Sequence, residues 1–358
     1  MSHLLFEPLT LRGVTFRNRI WVPPMCQYSA EHQDGTATPW HVVHYGGLAR
    51  GGAGAIIVEA TGVTPEARIS AQDLGLWNDE QRDALIPVVD FMHSQGAAAG
   101  IQLAHAGRKA STYPEWGTEH EGSLPEGEGG WRTVAPSAQA FPGLEAPREL
   151  TEAEIAEIVA AFAASTRRSI QAGFDFVEIH AAHGYLLHEF LSPLSNTRTD
   201  AYGGTLENRS RFLLEVVDAT RAEVGESVPV LVRLSATDWT DDGLSLSETA
   251  ELSVWLKAHG VDLVDVSTGG NVLAQIPVGP GYQTNFSAGI RERADIPTAA
   301  VGLITEPFQA EHILATGQAD VVLLGRESLR DPNFAIRAAA ALRHEIDYTP
   351  AQYQRAYK

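Results

Sequence analysis

Cysteine is nearly absent: Cys26 is the single thiol in 358 residues. One thiol excludes an internal disulfide and any zinc or iron–sulfur site built from several cysteines, and it reads as a sign of a reducing compartment. Positive charge is also scarce, with 26 Lys and Arg against 45 Asp and Glu and a formal net charge of -19. Nucleic-acid binding draws its affinity from Lys and Arg that neutralise phosphates, so this balance argues against that class of partner. Any phosphate the chain holds must be met by a local site. No stretch reaches the roughly 18 apolar residues of a membrane span, and MSHLLFEPLTLRG lacks the basic start and apolar run of a secretion signal. The expectation is a cytoplasmic protein with neither a membrane nor a nucleic-acid partner.

What is present is ordinary globular material, 44% hydrophobic and 20% charged, enough to bury a large core. The length suits two average domains or one α/β barrel with insertions. Short apolar runs alternate with longer segments of helical period, the pattern of a parallel sheet covered by helices. After a hairpin-like opening at 11–16, strands are predicted near 20–24, 55–61, 98–104, 176–180, 228–235, 263–268, 298–302 and 320–325. Eight such units predict a single (β/α)8 TIM barrel spanning 1–358. The clearest helices are 151–173, opened by a capping box of Thr151 and Glu154 and closed at Gly173, and 206–225. Residues 111–148 break the pattern, being rich in Gly, Pro and acids with Trp116 and Trp131 embedded. Because the strand count continues beyond them, they read as a long loop after strand 3, lying over the barrel mouth, rather than a linker.

In such barrels the chemistry sits at the C-terminal strand ends. There the chain carries PPMCQY (23–28), EATG (59–62), IQLAHAGRK (101–109), HAAHGY (180–185), VRLSATDW (232–239), VSTGG (266–270), VGLI (301–304) and LLGR (323–326). His180, His183 and Tyr185 point toward the mouth. Two imidazoles suit either a metal or one substrate oxygen, but no third ligand has an obvious place nearby, and a catalytic zinc usually takes three. Tyr185 is then a proton source. A metal-dependent hydrolase or aldolase barrel, with Lys109 as base or Schiff-base amine, is the competing chemistry.

Arg233 and Gln102 also occupy inward strand ends. A guanidinium there needs an anionic partner, either a reduced flavin's N1/O2 edge or an acid such as Asp262 or Asp265. Gly302 and the pair Gly325 and Arg326 lie where barrels often cradle a phosphate, although glycines there also serve as turn residues. FMN, with one phosphate and no adenine, suits such a site. GGAGAII at 51–57 precedes its strand, the wrong order for a dinucleotide fingerprint. Cys26 reads equally as a small buried hydrophobe or a flavin neighbour, Tyr28 as pocket or packing, and Arg108 and Lys109 as solvated loop charges.

Over essentially its whole length the chain resembles the old yellow enzymes, specifically the bacterial thermophilic-like ene-reductases. PPMCQYSA, EATGV, GIQLAHAGRKA, HAAHGYLLHEFLSPLSN and RTDAYGGTLENRSRF carry the likeness, extended by VRLSATDW, VGLI and VLLGR. The resemblance implies FMN held by Pro24, Met25, Cys26, Ala60, Gln102, Arg233, Gly325 and Arg326. Pro23 shares that wall, though it stands where many relatives carry Ser, so a hydroxyl contact is lost. It further implies that His180 and His183 hold the substrate oxygen, Tyr185 protonates Cα, and Tyr28 lines the pocket. NADPH or NADH is the implied reductant, and enones or nitroalkenes are the implied substrates. Arg355, in a C-terminal tail at 344–358, is expected to reach a neighbouring subunit's site in a dimer or tetramer.

Overall fold

Strands that water reaches on neither face read as unbroken apolar runs rather than alternating ones. In the computed structural model, which describes residues 3–356, eight such runs become barrel strands. They are β1 (Ile20–Val22), β2 (Ala55–Gly62), β3 (Ala98–Ala104), β4 (Phe176–Ala181), β5 (Val230–Ser235), β6 (Leu263–Ser267), β7 (Thr298–Ala300) and β8 (Val321–Leu323). Each pairs in parallel with the next and β8 closes on β1. Every strand residue except Ala98 is buried. The observed bounds shorten the predicted β7 and β8, so Gly302 and Gly325 lie just past their strands.

One main helix follows each strand: α1 (Pro39–Arg50), α2 (Asp79–Ser94), α3 (Glu152–Gln171), α4 (Leu206–Val224), α5 (Leu246–Ala258), α6 (Thr284–Ala294), α7 (Pro307–Ala315) and α8 (Phe334–Ala341). The capping box read at Thr151 is present: Glu154 N donates to Thr151 Oγ1 at 3.3 Å and Thr151 N to Glu154 Oε2 at 2.8 Å. Ile155, Ile158, Phe162 and Ser165 then fall on one face of α3 and turn it inward. Among the described residues no helix is long and apolar enough to cross a membrane.

The two barrel ends are filled differently. At the N-terminal end the hairpin Leu9–Leu11 and Val14–Phe16 forms a plug. Phe16, Trp21 and Phe176 meet there at ring separations of 4.3 to 5.8 Å, packed with Leu231, Leu263 and Val321. The C-terminal tail fastens to this end. Asn18 Nδ2 donates to Tyr348 Oη at 3.1 Å, Arg17 lies 4.5 Å over the Tyr348 ring, and Arg50 lies 5.0 Å over Tyr353.

Residues 111–148 contain no α-helix, as their composition implied. They are pinned by Trp131 Nε1 donating to Glu66 O at 2.9 Å and by a short parallel pairing of Val134–Ala135 with Arg148–Glu149.

Candidate active site

The HAAHGY turn is shaped by two successive left-handed residues after β4, His183 at φ +60° and Gly184 at φ +73°. They bring the chain back so that Tyr185 starts a short helix, Leu186–Leu191. Three rings converge as a result: His180 to His183 at 5.3 Å and His180 to Tyr185 at 5.0 Å between centroids. A left-handed histidine costs on the order of 1 kcal/mol, and neighbouring strand ends offset it. His183 N donates to Ser235 Oγ at 2.9 Å, and Ser235 Oγ donates to Gly269 O at 2.8 Å. A Cβ on Gly184 would lie 2.3 Å from Gly270 O, so only glycine lets the β4 and β6 loops approach this closely. Behind the turn, Gly184 N donates to His188 Nδ1 at 2.9 Å. That bond leaves the proton on His188 Nε2, 3.1 Å from the buried Asp238 carboxylate.

Both mouth histidines are neutral. Burial first, then Arg233, holds each well below the usual imidazole range. His180 Nδ1 is buried with no hydrogen-bond partner, whereas His183 Nε2 lies 2.7 Å from Ser267 Oγ. Burial raises the Tyr185 phenol well above its ordinary value, so it carries its proton at neutral pH. No group of three or more His, Cys, Asp and Glu among the described residues is placed to hold a metal ion.

Beneath the rings lies a charged layer set by strand register, in which Arg233 stands beside both His180 and Asp265, and Gln102 beside Glu178. Arg233 Nε is 3.0 Å from Asp265 Oδ2, so one of the two acids anticipated for it is its neighbour. The other, Asp262, is taken by Arg12 and Arg221 at 2.5 and 2.7 Å. Burial raises the Asp265 carboxyl to about 6 against the pull of Arg233. Burial and Asp265 together raise Glu178 well above the carboxylate range, although Gln102 Nε2 donates to it at 2.8 Å.

Arg233 also borders a cavity of about 160 Å³ that runs past Gly302 to Gly325, Arg326 and Arg330. At Gly302, with φ +128°, a Cβ would come within 3.1 Å of the Tyr282 ring and 3.2 Å of Gln283 Nε2. The cavity thus joins a buried guanidinium at one end to two more, Arg326 and Arg330, at the first and last positions of the segment Arg326–Arg330. A long anion with a terminal phosphate matches that charge distribution.

Pro23 and Met25 face Gly325, whose added Cβ would lie 3.7 Å from each. Ala60 is buried on β2, and Cys26 is half-buried with its thiol kept protonated, chiefly by burial. Tyr28 packs edge-on to Trp116 at 4.9 Å. With Tyr185 it lines a second, larger cavity of about 770 Å³ whose remaining wall includes Glu115, Phe141 and Leu144 of the 111–148 segment. Arg355 is exposed in the turn Ala351–Ala356, and its tail is held at the opposite barrel end from its own mouth.

One expectation is overturned. Arg108 and Lys109 are not solvated loop charges: Arg108 is buried and donates to Asn271 O at 2.6 Å, and Lys109 Nζ donates to His183 O at 2.8 Å and Gly270 O at 3.2 Å. Orphaned carbonyls of the two opposing loops draw both cations inward. Ser235, Ser267 and Gln283 were missed. Ser267 sits in the strand-end motif VSTGG, a usable signal, but nothing in sequence marks Gln283, which accepts from Thr268 Oγ1 at 2.6 Å.

A profile of the NADH:flavin oxidoreductase / NADH oxidase family matches residues 4–345. The chain is 49% identical over 359 residues to the NADPH dehydrogenase of Geobacillus thermodenitrificans, with 100% of each chain covered. It is 50% identical over 355 residues to the NADPH dehydrogenase of Listeria innocua, with 99% of each covered. Among solved structures, the old yellow enzyme homologue from Zymomonas mobilis matches with a TM-score of 0.79 at 28% identity, covering 96% of this chain and 94% of that one.

Proposed function

Because the chain belongs to the NADH:flavin oxidoreductase / NADH oxidase family, we propose that this FMN-dependent oxidoreductase is an ene-reductase acting on α,β-unsaturated carbonyl or nitro compounds. Bound FMN would supply the redox chemistry of both half-reactions, hydride uptake from NADPH or NADH and hydride donation to the substrate Cβ.

The protein's own share of the chemistry is positioning, charge stabilisation and one proton. The cavity from Arg233 to Arg326 suits the phosphate-bearing arm of FMN: Gly302 and Gly325 leave room for close backbone approach, and Arg326 supplies charge for the phosphate. Arg233, steadied at Nε by Asp265, offers its terminal nitrogens to the ring's polar edge. Gln102, engaged through its amide nitrogen by Glu178, offers its oxygen. Pro23, Pro24, Met25, Cys26 and Ala60 line the ring.

His180 and His183 donate to the substrate oxygen and stabilise the negative charge that develops there, while Tyr185 gives its proton to Cα. Ser267 sets the orientation of His183. The observation that carries this reading is the orphaned His180 Nδ1, a buried nitrogen beside a protonated phenol, which a substrate oxygen would satisfy. Tyr28 and the 111–148 segment bound the space the substrate enters. Arg355, remote from its own mouth, completes the site of a second copy in a dimer or tetramer.

Anaerobic stopped-flow absorbance separates the two halves of the cycle. NADPH bleaches the flavin band and 2-cyclohexenone restores it. Tyr185→Phe keeps the bleaching and slows the restoration about 10²-fold, the usual scale for loss of a general acid. Restoration at the unmutated rate removes Tyr185 from its role.

A further inference from the structure

Lys109 is a desolvated cation among the reacting groups, and among the described residues it forms no ion pair with a carboxylate. It ends the one-turn segment Gly107–Lys109 after β3, and its ammonium bridges the β4 and β6 loops through His183 O at 2.8 Å and Gly270 O at 3.2 Å. Its remaining side faces π-electrons, with the Tyr185 ring centroid at 4.9 Å and that of Phe141 at 4.8 Å. A cation over a ring is attracted to it, and more strongly when water is excluded. Backbone carbonyls and rings solvate this ammonium without neutralising it, so its charge remains for whatever anion forms nearby.

We infer that Lys109 is a positioning residue for proton transfer, holding the Tyr185 ring and stabilising the negative charge left on its oxygen as the proton departs. The inference rests on Tyr185 being the proton donor. In that step the Tyr185 O–H bond breaks, a C–H bond forms at the substrate Cα, and the phenolate later recovers a proton from water. The bland alternative is a clamp that only ties the two loops together.

The charged and titratable groups around Lys109 are Arg108 on its own turn, Glu189 on Leu186–Leu191, Glu115 of the 111–148 segment, and the neutral His180 and His183. Burial lowers the Lys109 ammonium to about 8, so it is charged at neutral pH and loses its proton as pH rises through that value.

A double-mutant cycle on the FMN-loaded enzyme distinguishes the roles, because Tyr185→Phe keeps the ring under the cation and removes only the ionisable oxygen. In the Tyr185 background, Lys109→Met is expected to slow single-turnover reduction of 2-cyclohexenone about tenfold and to raise its solvent deuterium isotope effect. In the Tyr185→Phe background the same substitution has no further effect. Equal slowing in both backgrounds, or none in the first, overturns the inference while leaving Tyr185 as donor. A Tyr185→Phe enzyme that turns over like the parent instead defeats the reading on which it rests. The unmutated enzyme gives a test independent of how Lys109→Met folds. Its rate falls as pH rises through about 8, and Lys109→Arg moves that limb upward; a flat profile, or a limb that stays in place, overturns the inference.

Discussion

The two ends of this barrel are built on opposite principles. At the N-terminal end Phe16, Trp21 and Phe176 fill the space with rings whose one polar atom, the indole nitrogen, donates to Asn18 O at 3.2 Å. At the C-terminal end, His180 Nδ1 and Glu178 Oε2 are buried without hydrogen-bond partners, and Arg233 and Asp265 meet as a buried ion pair. A buried polar atom left unmet costs about 1 to 3 kcal/mol, so the mouth is a standing cost that the plug and core offset. The contrast teaches that stability and chemistry are separable along the barrel axis.

The largest effect that tests this separation is Trp21→Ala. Loss of a fully buried indole is expected to cost about 3 to 5 kcal/mol and lower the thermal midpoint by about 10 °C. Turnover per folded, flavin-loaded molecule stays at the parent value; a proportionate loss of turnover would break the comparison. Next comes His180→Leu, which removes the proposed donor to the substrate oxygen and is expected to slow alkene reduction about 10²- to 10³-fold. Because it also removes an unmet polar atom, denaturant unfolding should show equal or greater stability than the parent.

Acid sharpens the same contrast. In the folded state His180 and His183 titrate well below the ordinary histidine value of about 6.5, so the fold keeps them neutral. Their contribution is therefore intact above about 6.5 and is lost as pH falls below it, when the unfolded chain binds protons that the folded one refuses. Relative to His180→Leu, the parent is expected to lose about 1 kcal/mol of unfolding free energy between pH 7 and pH 5.5. Ser267→Ala is the smallest perturbation. Loss of one hydrogen bond to His183, about 1 kcal/mol, slows alkene reduction about fivefold and leaves the midpoint nearly unchanged.

Much of the architecture is legible in sequence because it is local. Eight buried strands announce themselves as apolar runs, and the Thr151 capping box is complete within four consecutive residues. His180, His183 and Tyr185 are legible for the same reason: one strand end and one tight turn place them. The partners of Lys109 lie 74 and 161 residues away, however, and only barrel closure brings them within reach. Arg233 shows the intermediate case. Its need for an acid follows from its position, but the choice of Asp265 over Asp262 depends on strand register, which puts Asp265 directly beside it. Gln283 has no signal of any kind, since it precedes α6 in a segment without a motif.

The pairing of Val134–Ala135 with Arg148–Glu149 has a consequence for how substrate range changes in evolution. Arg148 N donates to Thr133 O at 2.8 Å and Leu150 N to Ala135 O at 3.0 Å, so the residues between are closed into a loop by a clasp and tied down further at Pro136, Ser137 and Gln139. Phe141 and Leu144, which face the large cavity, both belong to that loop. Changing its composition, by recombination or by design, reshapes the cavity wall and also touches the site through Phe141, which Lys109 faces, while the clasp and the barrel keep their places.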